Sequence, residues 1–95
     1  MSFPRVKKEI HEKQLTSLHF KPTGWTEGRL FFTSFYKEKN GIKLDVITSR
    51  EVLPGNKHVR TVDQVVTLEI NDQWAYVPIT DFDELKTLAG ILFKE

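Results

Sequence analysis

The chain has 95 residues, 39% of them hydrophobic and 28% charged, with 14 Lys/Arg against 13 Asp/Glu and no cysteine. That length supports a single domain, 1–95, with one small core, and the composition excludes a disordered chain. The lack of cysteine excludes disulfides, thiolate catalysis and cysteine-based zinc sites, and no apolar run approaches the ~18 residues of a membrane span. The opening residues, Met1-Ser2-Phe3-Pro4-Arg5, lack the apolar centre of a signal peptide, so a cytoplasmic location is the expectation.

Residues 1–14 read either as a short helix or as a charged arm. In the helix reading Ser2 caps, Pro4 sits in the first turn, and Val6 and Ile10 share a face. Residues 15–20 alternate, with Thr16, Leu18 and Phe20 on one side, and suit a strand. Residues 21–28, Lys-Pro-Thr-Gly-Trp-Thr-Glu-Gly, read as a loop by their Pro and Gly content.

Residues 29–39 form the clearest strand, aromatic-rich and free of Gly and Pro. Asn40-Gly41 is a strong two-residue hairpin signal, with residues 42–52 as the return strand. Such a turn pairs Lys39 with Ile42, Glu38 with Lys43, Phe35 with Val46 and Phe31 with Arg50. Pro54-Gly55 supplies a further turn, and residues 59–70 a third long strand, with Val62, Val66, Leu68 and Ile70 on one face. Asn71-Asp72-Gln73 turns the chain into a strand over 74–79, and because Pro78 cannot donate to a ladder this strand is either an edge or ends there.

Residues 80–94 read as a helix. Asp81 is the N-cap with Glu84 three residues on, and Thr80 with Asp83 is the rival cap. Phe82, Leu85, Leu88, Ala89 and Leu92 form its apolar stripe. The expected fold is therefore α+β: an antiparallel meander of four to five strands over 15–79, packed by a C-terminal helix.

The charge is unevenly placed. Residues 1–62 carry 12 Lys/Arg against 6 Asp/Glu, and residues 63–95 carry 2 against 7. Either the molecule has a basic and an acidic face, or the two halves interleave.

No catalytic arrangement stands out. His11, His19 and His58 are scattered, and Asp81 and Asp83 suit a helix N-terminus better than a catalytic pair. There is no Gly-rich phosphate loop and no Gly-x-Ser-x-Gly turn. Neither an enzyme nor a cofactor is expected. The candidates are binding surfaces. One face of the aromatic hairpin shows Leu30, Phe32, Tyr36 and Ile47, and the other Phe31, Phe35, Leu44 and Val46. Either both faces are covered, or one is an open platform on which bases stack while Lys and Arg neutralise phosphates. The basic turn between Arg50 and Arg60 could follow a phosphate backbone or simply keep a hairpin tip soluble. Trp25 reads as a partner anchor or a lid over the core. Trp74 and Tyr76 alternate on an edge strand, which makes homodimerisation an option.

Two stretches resemble the PC4-type single-stranded-DNA-binding transcriptional coactivators. Gly41-Ile42-Lys43-Leu44-Asp45-Val46-Ile47 is similar to the family's second strand. Pro78-Ile79-Thr80-Asp81-Phe82-Asp83-Glu84-Leu85 is similar to its last strand entering a helix. The resemblance spans residues 28–92 and implies a curved meander, a C-terminal helix, dimerisation through that helix and binding of single strands. Asp72-Gln73 stand near the place of the family's Lys-Gly turn.

The reading that follows is a non-enzymatic domain binding single-stranded nucleic acid, as a homodimer. Lys37, Lys39, Lys43, Arg50, Lys57 and Arg60 are the phosphate candidates, and Phe32, Tyr36, Trp25 and Trp74 the stacking candidates. The alternative is a protein-interaction module, a small accessory, inhibitory or assembly protein of the kind phages and mobile elements encode. It draws on the aromatic edge strand, the amphipathic helix and the acidic final third.

Overall fold

The computed structural model describes residues 5–27, 30–52 and 59–94, with the backbone alone at residues 25–27, 52, 59, 60 and 62. The elements in chain order are α1 (Glu12–Ser17), β1 (Lys21–Glu27), β2 (Leu30–Lys39), β3 (Ile42–Val52), β4 (Val59–Ile70), β5 (Gln73–Val77) and α2 (Phe82–Phe93). The five strands form one antiparallel sheet in the order β1-β2-β3-β4-β5. This is the α+β meander with a C-terminal helix that the pattern predicts.

The central hairpin follows its local chemistry. Asn40 and Gly41 take φ of 54° and 80°, the paired positive values of a tight turn whose twist matches its strands. The register then runs Lys39↔Ile42, Glu38↔Lys43, Phe35↔Val46 and Phe31↔Arg50, as expected. Asn71 and Asp72, at 52° and 65°, turn β4 into β5 in the same way. Between β3 and β4 the ladder passes from Ser49↔Asp63 to Arg50↔Thr61, which leaves Val62 over as a bulge. The expected Pro54-Gly55 turn lies outside the described residues, as do Ser2 and Pro4.

Two segments differ from expectation. Residues 15–20 are not a strand but the end of α1 and its exit. Gln14 Oε1 accepts from His11 N at 3.0 Å and closes the first turn. At the other end His19 takes φ 66°, and Phe20 N donates to Leu15 O (3.1 Å) while His19 N donates to Thr16 O (3.0 Å). That is a Schellman stop, and it brings Leu15 and Phe20 into the core together. Residues 21–27, expected as a loop, form β1. An edge strand tolerates Pro22 because one of its sides needs no partner. Gly24 permits the close pairing, since a Cβ there would stand 3.0 Å from Phe32 O.

The core lies on one face of the sheet. Phe35, Leu44, Val46 and Val66 project from it against Ile10, Leu15, Phe20, Ile79, Leu85, Ala89 and Phe93. α1 and α2 therefore share that face. The N-terminal segment is tied beside β4, where Val6 N donates to Gln64 O (2.8 Å) and Arg5 bridges Val65, just beyond the last β5 pairing at Val66. α2 begins at Asp81, whose carboxylate accepts from Glu84 N at 3.0 Å. The Glu84 side chain reaches one residue further back than a capping box, to the Thr80 amide at 2.9 Å and its hydroxyl.

Candidate functional site

Strand residues alternate between faces, so the register that buries Phe35, Val46 and Val66 turns their neighbours the other way. Rows of outward side chains run across the sheet. Glu38, Lys43, Glu69 and Trp74 form one row, and Tyr36, Asp45, Thr67 and Tyr76 the next. Ser34, Ile47 and Val65 follow, then Phe32, Ser49 and Asp63. Both helices lie on the opposite face, and these rows line a concave hollow of about 400 Å³. Sheet twist makes such a face concave, and no other element of the described chain fills it.

The walls of the hollow are mainly apolar. Phe32, Ile47, Val65, Trp74 and Tyr76 line it. Trp74 is 60% exposed and meets Tyr76 edge to face, with ring centroids 5.3 Å apart and planes at 88°. Among the charged lining groups, three are carboxylates (Asp45, Asp63, Glu69) and one is an ammonium (Lys43). Asp63 Oδ1 lies 3.3 Å from Arg5 Nε at the edge of the sheet. Lys43 Nζ sits 5.1 Å from the centroid of the Tyr36 ring. Burial raises Asp45 above the usual carboxylate range, against the opposing effects of the Ser34 hydroxyl, which donates to it, and of Lys43.

The stacking candidates Phe32, Tyr36 and Trp74 all stand on this open face. Trp25 lies on β1 opposite Phe32 rather than in a loop, and its side chain is outside the described residues. The phosphate candidates divide. Lys43 is on the open face. Lys37 is on the helix face, where its ammonium donates to Leu18 O at 3.1 Å and lies 5.3 Å from the Phe93 ring centroid. Arg50 also reaches the helix side, 3.7 Å from Glu12 at the start of α1. Lys39 is exposed at the end of β2 on the same side as Lys37. Lys57 lies outside the described residues, and Arg60 is described only as the backbone partner of Glu51.

Asp45, Asp63, Glu69 and Val65 were not among the residues expected at a site. The alternation of β4 already set Asp63 and Glu69 on one side, but only the β3–β4 and β4–β5 registers place them beside the aromatic residues. Among the described residues no group of three His, Cys, Asp or Glu side chains is placed to hold a metal ion, and no helix is long and apolar enough to cross a membrane. Comparison with protein-family models, with curated proteins and with solved structures finds no match for this chain.

Proposed function

We propose that this is a non-enzymatic binding domain whose open sheet face receives a segment of another protein. The observation that carries the reading is the hollow itself: about 400 Å³, walled by aromatic and aliphatic side chains, on the one sheet face the helices leave uncovered. Concave, mostly apolar surfaces with a few placed polar groups are where partners bind, and aromatic anchors dominate such contacts. The excess of carboxylates over ammonium groups among the described residues of its walls favours polypeptide over a phosphate backbone. The test is to pan a random-peptide library on the domain and counter-screen with Ile47→Asp, which places a charge in the middle of the face. Peptides that bind the wild-type domain and lose the variant support the reading. Peptides indifferent to Ile47 oppose it.

A second reading, binding of single-stranded nucleic acid, draws on the gathering of Phe32, Tyr36 and Trp74 with Lys43 on one open face. Anisotropy of labelled single strands separates the two. Nucleic-acid binding would be saturable, steeply weakened by salt and reduced by Tyr36→Ala.

A further inference from the structure

We infer that the β4–β5 end of the open face, between Trp74 and Glu69, takes an arginine or lysine side chain from a basic segment of the partner. This rests on the reading of that face as a protein-docking surface and specifies the chemistry it accepts.

The first support is charge. Among the described residues, an incoming polypeptide meets three carboxylates and one ammonium on the walls of the hollow. Arg5, which lies near Asp63, is at the edge of the sheet, remote in the row order from Glu69. A cationic segment is attracted to such a surface and an acidic one repelled.

The second support is the aromatic pair. Trp74 stands directly opposite Glu69 across the β4–β5 ladder and is 60% exposed. The indole meets Tyr76 edge to face, and the register puts Glu69 on the same face directly across the ladder. Tryptophan is the strongest of the aromatic faces for a cation, and a neighbouring carboxylate supplies the countercharge.

The third support is that the protein already builds this arrangement once, from its own side chains. On the neighbouring strands Lys43 lies over Tyr36 with Asp45 beside it: cation, ring and carboxylate. Lys43 is thereby held toward β2. Its other cross-strand neighbour, Glu69, stays on the Trp74 side of the face. The β4–β5 end thus repeats the ring and the carboxylate, and the partner supplies the cation.

The experiment is an amide chemical-shift titration of the full chain with three blocked peptides sharing the frame Leu-Xaa-Val-Xaa-Leu-Gly, where Xaa is Arg, Gln or Glu. The Arg peptide should shift the amides of Glu69 and Trp74 and bind about tenfold tighter than the Gln peptide, with the Glu peptide weakest. Glu69→Gln and Trp74→Ala should each reduce Arg-peptide affinity by about fivefold or more, while Glu69→Gln leaves the Gln peptide nearly unchanged. An unaltered spectrum away from β4 and β5 shows that the variants remain folded. Equal binding of the Arg and Gln peptides to the open face would overturn the cation site and leave the docking face standing. Peptides that shift no amide of the open face would overturn both.

Discussion

The carboxamide of Gln64 holds a segment 54 residues away in sequence. Its Oε1 accepts from Ile10 N at 2.8 Å, and its Nε2 donates to Ile10 O at 3.0 Å and to Thr48 Oγ1 at 2.9 Å. The side chain is buried. Loss of a partner for a buried backbone group costs about 1–3 kcal/mol, so Gln64→Leu, which strands two such groups, should destabilise the fold by about 3 kcal/mol in urea unfolding. A shift below about 0.5 kcal/mol would mean that the clip contributes little. Nothing local in the sequence marks Gln64. It is one polar residue in a strand whose inward neighbours are apolar, and its partner is fixed only when the N-terminal segment docks.

Asp45 makes a second prediction at this scale. Its folded pKa is raised, chiefly by desolvation, above its value in the unfolded chain. Its contribution is therefore favourable below the usual aspartate range and is lost as pH rises through the folded value. Asp45→Asn can keep the acceptor for the Ser34 hydroxyl and does not titrate. Stability of the variant relative to wild type should therefore rise as pH climbs from below the usual aspartate range through the folded value, read from urea midpoints. A difference that stays flat or falls would show that Asp45 is not desolvated in this way.

Among the elements, those written by periodicity or by a turn were the legible ones. Asn40-Gly41 set the β2–β3 register residue by residue, and the stripe from Phe82 to Leu92 set α2. The helix start was also readable: Asp81→Ala removes the acceptor for Glu84 N and should lower stability by about 1 kcal/mol, with the loss seen as fraying of the first turn in amide exchange. If that turn stays as protected as in wild type, the Thr80–Glu84 contacts are the operative cap. The first two elements misread for opposite reasons. α1 is six residues long, too short to show a helical period, and its stop uses His19 in the left-handed region where a glycine would have been a signal. β1 contains the very residues, Pro22 and Gly24, that mark loops, and is a strand because it lies at an edge with β2 to pair with.

For the whole molecule, the meander sets β4 from the acidic part of the chain beside β3 from the basic part. The two oppositely charged parts of the sequence are thus neighbours in one sheet. Lys37 and Arg50 serve contacts on the helix side, while Asp45 and Glu69 join the aromatic residues on the open side. One register grouped Phe32, Tyr36 and Ile47 on a single face, but which face of the hairpin is open was set only by where the helices pack. The charge of the open face was not legible, because that depends on which residues of β4 and β5 come alongside.

The most direct measurement is fluorescence anisotropy at low salt, with a labelled library-selected peptide and a labelled single-stranded oligonucleotide titrated against wild type and Ile47→Asp. Saturable peptide binding that the variant loses is expected, with no saturation by the oligonucleotide. Saturable oligonucleotide binding lost in Ile47→Asp, together with peptide binding indifferent to that change, would contradict the protein-docking reading and assign the open face to nucleic acid.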